Sequence, residues 1–184
     1  AMVGEMADAL SLPFHGIRVE VEPGPNLASR ARDARRRALL ELGMQRIATA
    51  HHQNDQAETV LFHLLRGAGT RGLRGMLPVD PPWCRPLLHE SRDVLEAWAR
   101  SCGLKWVEDP SNPLSQRGHL RRLMPLLDEV HGGASAALAR SARILGREDV
   151  LLEELTDAAW ASVCVDGRVS RHQLAGLPGA QQLR

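Results

Sequence analysis

The sequence predicts an α/β fold, in which a parallel sheet is flanked by helices, followed by a small α-helical domain. Residues 14–21 and 44–50 read as short apolar strands, each followed by a helical pattern, and this alternation is typical of parallel sheets. A polar, titratable segment follows the second strand, where α/β folds place their ligands. Beyond Gly132-Gly133 one long helical pattern dominates. We therefore expect two domains, 1–130 and 131–184.

The first half of the chain alternates strands with helices. Residues 2–11 read as the end of a helix, and residues 14–21 as a strand, because apolar and polar residues alternate there. Residues 27–42 predict an arginine-rich helix that ends at Gly43. The apolar run 44–50 predicts the second strand, and the polar residues after it begin the next helix.

The second half is predicted to be mostly helical. Residues 78–83 are too rich in proline for regular structure, whereas Ser91 predicts the N-cap of a helix that runs to about Cys102. Four further segments follow in chain order: a brief strand or extended piece over 104–107, a turn cluster over 108–113, a basic helix over 117–127 and a long helix from 134 to about 164.

Composition describes an ordinary globular protein of 184 residues with a net charge of +1, which is no general signature of nucleic-acid binding. Of 23 basic residues only Lys105 is a lysine. Arginine suits RNA recognition, although the codon composition of the source genome explains the bias equally well. The three cysteines form no Cys-x-x-Cys pair, which favours a reducing cytoplasm. Because no apolar run approaches the roughly 18 residues that span a bilayer, we expect no membrane.

The segment 51–59 concentrates titratable side chains at the start of a predicted helix. His52, Asp55, Glu58 and Thr59 share one helical face. The simplest interpretation is a capped amphipathic helix with solvated polar residues. Carboxylates three residues apart repel each other, however, unless a cation lies between them, and that cation could be Mg²⁺ or a substrate ammonium. Zinc is disfavoured because there is no His-Glu-x-x-His pattern.

A glycine- and arginine-rich loop follows this helix. Gly67, Gly69, Gly72 and Gly75 alternate with Arg66, Arg71 and Arg74. The glycines could simply end the helix and turn the chain. The same backbone could also approach a phosphate closely while the guanidinium groups contact it.

Several motifs in the same order resemble the tRNA(Ile)-lysidine synthetase family of PP-loop, or N-type, ATP pyrophosphatases. The matches span residues 28 to 127 and are carried by five segments: 31–36, 49–59 with 66–76, 85–88, 108–112 and 117–121. Arg36 stands where this family usually has tyrosine, and Gly118 replaces an asparagine. The resemblance implies a Rossmann-like fold of the adenine nucleotide alpha hydrolase type.

The resemblance also implies a reaction and its partners. The family adenylates the wobble cytidine of an isoleucine tRNA at C2 with ATP, and the amine of free lysine then displaces AMP. We expect ATP and Mg²⁺ as cofactors and tRNA(Ile) and lysine as partners, and we leave a homodimer open.

Roles for individual residues follow from the same resemblance. Asp55 and Glu58 would hold the lysine ammonium or Mg²⁺, with His52 and Arg66 completing the catalytic set. Nucleotide binding would fall to His51, His52, Gly67 and Gly69. Binding of the substrate or the tRNA would involve Arg66, Arg71, Arg117, Arg121, Arg32 and Arg35.

The chain departs from the family at the pyrophosphate-binding Ser-Gly-Gly-x-Asp-Ser loop, which occurs nowhere in this sequence. From the usual size of βα units we expect about 60 residues to precede Ala1, and the helical region to continue beyond Arg184. The chain alone should not use ATP by the family mechanism. Two rivals stay open: a PP-loop tRNA thiolase, although such enzymes carry cysteine pairs, and a non-catalytic RNA-binding remnant.

Overall fold

The computed structural model describes residues 2–106, 116–165 and 168–179. The chain forms two compact units, Ala1–Ile47 and Ala48–Arg184. The predicted boundary after residue 130 coincides with the break between two helices that both belong to the second unit. The assignment of two domains, 1–130 and 131–184, therefore stays a prediction.

The first unit contains two helices, α1 (Met2–Ala9) and α2 (Leu27–Leu40). The second of these confirms the predicted arginine-rich helix, which ends two residues earlier than expected. The strand predicted at Phe14–Val21 is wrong, because residues 12–22 lie outside helix and strand, and their apolar side chains are exposed except for the half-buried Val21. Alternation alone does not make a strand, since a strand also needs a neighbour to satisfy its backbone hydrogen bonds.

A small sheet supports the second unit. Its strands are β1 (Ile47–Ala48), β2 (Val79–Asp80) and β3 (Trp83–Cys84), in the order β1-β3-β2, with β2 and β3 antiparallel. The expectation that the proline-rich residues 78–83 lack regular structure is wrong. The cis-linked pair Pro81-Pro82 occupies the turn, so the prolines do not interrupt the ladder on either side.

Helices make up the rest of the second unit. In chain order they are α3 (Gln53–Leu65), α4 (Thr70–Leu73), α5 (Arg92–Ser101), α6 (Gln116–Val130), α7 (Ala134–Val163) and α8 (Arg171–Gly176), and a hairpin of β4 (Cys164–Val165) and β5 (Arg168–Val169) joins the last two. The predicted helices after Ser91, after residue 116 and after Gly133 are thereby confirmed. The described residues 104–106 form no strand, and the turn cluster 108–113 lies outside the described residues.

The core of the second unit lies where α3, α6 and α7 meet. Ala57, Met124 and Ala134 are buried there, one from each helix, and three leucines pack around them: Leu61, Leu127 and Leu138. The small alanine side chains let α7 approach α3 closely, and α7 also packs against α4. This arrangement fixes the start of α3 against the rest of the unit. None of the described helices is both long and apolar enough to cross a bilayer.

The N-cap of α5 allows a first test of the fold. The Ser91 side chain accepts a hydrogen bond from the backbone N–H of Val94 at 3.3 Å. Replacing Ser91 by alanine should lower the free energy of unfolding by about 1 kcal/mol, because an N-terminal helix donor loses its acceptor. Ser162→Ala is the matched control, since that exposed hydroxyl only donates to a carbonyl within its own helix. Chemical denaturation that shows equal effects for the two variants would contradict the capping role.

Candidate active site at the start of helix α3

A reciprocal capping box fixes the first turn of α3. The backbone N–H of His52 donates to Asp55 Oδ2 at 3.1 Å, and the backbone N–H of Asp55 donates to His52 Nδ1 at 3.4 Å. Two orphan donors of the helix are satisfied in this way, and a carboxylate lies at the positive end of the helix dipole. The structure therefore supports the capping interpretation for both residues, and it leaves Asp55 Oδ1 as the carboxylate oxygen outside the box.

The segment before α5 holds the start of α3 in place. Gln53 donates its backbone N–H to the carbonyl of Glu90 at 2.8 Å, and the side-chain oxygen of Asn54 accepts the backbone N–H of Arg92 at 2.9 Å. The second of these bonds spans 38 positions of the sequence. The first turn is thus held from outside as well as by its own cap.

His51 lies at the carboxyl end of β1, as predicted. Thr49 donates its backbone N–H to the carbonyl of Cys84 in the neighbouring strand at 2.9 Å, and its hydroxyl lies 2.9 Å from His51 Nδ1. Thr49 therefore orients the imidazole ring at the edge of the sheet. His51 and His52 both lie beside the first turn of α3, as the expected nucleotide-binding role requires.

Glu58 is the most deeply buried acidic residue of α3. Its side chain is 2% exposed and makes a bidentate ion pair with Arg121 of α6, with Nε to Oε1 at 2.7 Å and Nη2 to Oε2 at 3.2 Å. Both carboxylate oxygens have a donor, which a buried charge requires. In this structure Arg121 is thus the cation beside Glu58.

This ion pair also perturbs the arginine. The hydrogen bond to Glu58 raises the pKa of Arg121, and the charges of Glu58 and Asp55 add to this effect against the opposing cost of burial. Arg121 is therefore charged at every physiological pH and lies in the field of both carboxylates. The structure brings Arg121 close to two predicted site residues, Asp55 and Glu58, the nearer of which is 63 positions away in the sequence.

Arg117 lies one turn before Arg121 on α6 and also faces α3. Its Nη2 lies 3.4 Å from the hydroxyl of Thr59, which in turn donates to the carbonyl of Asp55 at 2.8 Å. Two guanidinium groups of α6 thus face the polar side of α3. A cluster of opposite charges with one carboxylate partly open to solvent suits a zwitterionic ligand.

The glycines after α3 have structural roles. Gly67 has a φ of 72° and follows the C-cap Arg66, and the N–H groups of Gly67 and Ala68 donate back to carbonyls of the last turn of α3. These bonds are typical of a helix that ends at a glycine. They agree with the interpretation that the glycines of this loop end the helix and turn the chain. A side chain at Gly72 would place its Cβ 2.5 Å from that of Ala68, so the chain also needs glycine there.

Gly75 allows a second test. It has a φ of 63°, and an added Cβ would lie 2.7 Å from the side-chain oxygen of Gln56, which accepts the N–H of Met76. Gly75→Ala should therefore cost more than the roughly 1–2 kcal/mol of a left-handed alanine, because a buried hydrogen bond is also displaced. Gly103→Ala is the control, since its φ is 66° and nothing lies within 4 Å of its Cβ. Equal losses of unfolding free energy in the two variants would contradict the steric argument.

The remaining predicted residues lie elsewhere. Arg66 and Arg71 are exposed beyond the far end of α3, so along the helix axis Arg66 lies about 16 Å from Asp55. The guanidinium of Arg66 stacks 5.1 Å from the centroid of the Phe62 ring. Gly67 and Gly69 lie at the same far end, and the structure does not bring them to the first turn. Arg32 and Arg35 are exposed on α2, in the first unit. All these assignments stay predictions.

The described residues do not form a complete protein site for Mg²⁺. No group of three His, Cys, Asp or Glu side chains among them is arranged to hold a metal ion. Arg121 engages both oxygens of Glu58, and the cap engages Asp55 Oδ2. Because Mg²⁺ prefers several oxygen ligands, Asp55 and Glu58 do not fit it as a pair.

Two contacts beside the site have no local sequence signal. The Gln56 side chain donates to the carbonyl of Met76 at 3.0 Å and accepts from its N–H, which clamps the chain after α4 onto α3. Arg74 forms an ion pair with the fully buried Asp149 of α7. For the Arg74–Asp149 contact, the one available sequence clue was an acidic residue at a position of the α7 helical pattern that faces the interior.

Comparisons with known proteins agree on one family. Residues 1–127 match the family described as a PP-loop domain. The tRNA(Ile)-lysidine synthase of Pseudomonas syringae pv. tomato is 47% identical over 161 residues, which cover 82% of this chain and 36% of that protein. The tRNA(Ile)-lysidine synthase of Mycobacterium bovis is 40% identical over 90% of this chain and 54% of that protein. The chain thus spans about a third to a half of the length of the curated relatives it matches.

Among solved structures, the chain is similar to the U34-tRNA thiolase NcsA from Methanococcus maripaludis, which carries a 4Fe–4S cluster. The two share a TM-score of 0.57 and 18% sequence identity over 79% of this chain and 55% of the thiolase chain. This likeness confirms the predicted α/β fold of the adenine nucleotide alpha hydrolase type.

Proposed function

Because this chain belongs to the PP-loop domain family, whose members bind ATP, we propose that the whole protein ligates lysine to the wobble cytidine of tRNA(Ile). The extensive identity to tRNA(Ile)-lysidine synthases supports this choice within the family. In the first step ATP adenylates the cytidine at C2 and pyrophosphate leaves. In the second step the lysine ammonium loses a proton to solvent, the resulting amine forms a bond to C2, and the bond from C2 to the adenylated oxygen breaks, so that AMP leaves.

The observation that carries the proposal is the buried Glu58–Arg121 pair beside Asp55. An amino acid carries both an ammonium and a carboxylate, and this cluster presents both complements within one helical turn. When lysine enters, its ammonium takes the place of the Arg121 guanidinium between the two carboxylates. The Arg121 side chain then rotates away from Glu58 and binds an anion, which is either the lysine carboxylate or an RNA phosphate. Two new ion pairs, one at the lysine ammonium and one at Arg121, offset the cost of breaking the Glu58–Arg121 pair.

The partly exposed guanidinium makes this exchange feasible. The Arg121 side chain is 40% exposed, so it can leave Glu58 and reach solvent without becoming an unpaired buried charge. Glu58 is too buried to do the same and must keep a cation. This geometry supports Glu58 and Asp55 as the ammonium-binding residues and Arg121 and Arg117 as the anion-binding residues.

Neighbouring groups complete the proposed site. His51 and His52 lie beside the first turn, where the nucleotide is expected. The exposed Arg66 and Arg71 would contact tRNA phosphates at a distance from the chemistry, as would Arg32 and Arg35. Cys84, Cys102 and Cys164 are all free, which supports a reducing, cytoplasmic setting. Binding of Mg²⁺ would need ligands from ATP as well as Asp55, and a homodimer stays a prediction.

A labelled-substrate assay tests the proposal. The whole protein, incubated with tRNA(Ile), ATP and labelled lysine, should attach one lysine per tRNA and release AMP. If tRNA binds but no lysine is attached, the protein is a non-catalytic RNA-binding module. Sulfur transfer to the tRNA in place of lysine would identify a thiolase. The three cysteines form no Cys-x-x-Cys pair in the sequence, which argues against that last outcome.

A further inference from the structure

A cavity of about 320 Å³ lies between α3, the chain after α4 and helix α7, and its lining includes Gln56 of α3 but neither Asp55 nor Glu58. Its walls are mostly apolar and include Leu77, Leu88, Ala142 and Val150. Its volume is at the lower end of the range of small-molecule sites, about 300–1,000 Å³, which suits one nucleoside better than a larger ligand. No step of the proposed reaction uses it.

Arginines of α7 line one side of this cavity. Arg143 and Arg147 belong to its lining, and Arg140 lies one turn earlier on the same helical face. All three are exposed. Within the described ranges of the chain, no hydrogen bond or ion pair engages their guanidinium groups. We call these three residues the α7 arginine ridge.

Two acidic residues of α7 lie close to Arg74, which also lines the cavity. Asp149 forms an ion pair with Arg74, and Glu153 lies 3.7 Å from the same guanidinium. Both carboxylates thus approach a guanidinium that is not part of the ridge. The three arginines of the ridge lie beside a mostly apolar cavity, and this combination suits a ligand with an apolar planar body and a negative charge.

We propose that this cavity receives one unstacked nucleotide of the RNA substrate, while the α7 arginine ridge contacts the adjoining phosphates. The presence of an RNA substrate rests on the proposed function. Single-stranded RNA is recognised by splaying out a base, which then packs on apolar or planar side chains. A guanidinium can both stack on such a base and bind a phosphate. The site is therefore a second RNA contact, distinct from the acidic pair on α3.

Paired arginine variants test the phosphate contacts. Arg143→Ala/Arg147→Ala removes two charges from the ridge, and Arg168→Ala/Arg171→Ala removes two exposed charges near the C-terminal hairpin. The probe is an RNA hairpin with an unpaired loop, and fluorescence anisotropy across a salt series gives its affinity. The ridge variant should bind about tenfold more weakly, and its salt slope should fall by about 1.5, as expected for two lost phosphate contacts. Equal losses in both variants would overturn the proposal.

Filling the cavity tests the base contact. Gly146 lines the cavity, and an added Cβ meets only the Arg74 Cβ, at 3.8 Å. Gly146→Ala should therefore bind like the unchanged chain, whereas the longer side chain of Gly146→Leu should weaken binding about tenfold without changing the salt slope. A hairpin with abasic loop nucleotides should bind the unchanged chain equally weakly. If Gly146→Leu fails to fold, Ala139→Leu in the same wall carries the same expectation.

The outcomes separate this site from the proposed function. Wild-type affinity in the cavity-filling variant, or for the abasic hairpin, would overturn insertion of a base. If these binding results hold but no lysine is transferred in the labelled-lysine assay, the proposed ligase activity fails and the nucleotide site stands. If Arg143→Ala/Arg147→Ala and Gly146→Leu both transfer lysine at the unchanged rate, the nucleotide site is overturned and the ligase activity stands.

Discussion

Replacing Glu58 by glutamine is expected to slow lysine transfer by about a hundred- to a thousandfold, the usual effect of removing one well-placed electrostatic group. The side chain keeps its shape and can still bond to Arg121, but it no longer carries the charge that would hold the lysine ammonium. Transfer should be measured with labelled lysine at saturating ATP and tRNA. Asp55→Asn should have an effect in the same direction.

The control for this change is Glu96→Gln on the exposed face of α5. Glu96 also pairs with arginines, since Arg92 and Arg100 both bond to it and hydrogen bonding to Arg92 lowers its pKa. It lies outside the proposed site, so its variant should transfer lysine at the unchanged rate. tRNA binding should stay within about twofold in both variants, because neither residue is proposed to contact RNA. If Glu58→Gln loses tRNA binding as strongly as lysine transfer, its assigned role is wrong.

Replacing Asp149 by alanine is expected to lower the free energy of unfolding by about 3–5 kcal/mol, the largest stability effect we anticipate in this chain. Asp149 is fully buried in α7, and its partner Arg74 is only 17% exposed. Removing the carboxylate leaves a largely buried guanidinium without its main counter-charge. The contact between α4 and α7 would open, and with it the clamp that Gln56 makes on the same segment.

Glu153→Ala is the matched control for this prediction. Glu153 approaches the same guanidinium, but at 3.7 Å and with its side chain 45% exposed. Solvent screens such a contact, so the variant should lose no more than about 1 kcal/mol. Urea denaturation followed by circular dichroism measures both variants. Similar losses would show that the buried pair contributes no more than a surface ion pair.

Local patterns predicted most of the helices and the position of the site. The shared face of His52, Asp55 and Glu58 follows from helical spacing alone, and the capping role of Ser91 from its residue type. The resemblance to a family then supplied a chemical interpretation for that face. Predictions of this kind succeed because they depend on residues within one or two helical turns.

The contacts that define the site could not be predicted in this way. Glu58 and Arg121 are 63 positions apart, so nothing in either segment reveals that they pair. The sequence indicated a cation beside the acidic pair, either Mg²⁺ or a substrate ammonium, but nothing in it indicated that Arg121 of α6 pairs with Glu58. The pair of Arg74 and Asp149, 75 positions apart, was missed for the same reason.

Two errors in the fold have a related cause. The alternating residues 14–21 suit a strand, but no strand forms there because pairing depends on a neighbour that a local pattern cannot specify. In residues 78–83 the prolines suggested a loop, although Pro81 and Pro82 occupy the turn between two short strands and Pro78 precedes the first of them. Strand formation is decided by tertiary context to a greater degree than helix formation.

A two-step chase tests most directly the claim that the start of α3 binds the attacking amine. The whole protein and its Glu58→Gln variant are first incubated with ATP and tRNA(Ile) without lysine, and the adenylated tRNA is quantified. Lysine is then added and the release of AMP is followed. We predict nearly equal adenylation in the two proteins but a chase slowed by about a hundredfold or more in the variant. Loss of adenylation, with a normal chase of whatever adenylate forms, would contradict the assignment of Glu58 to the amine.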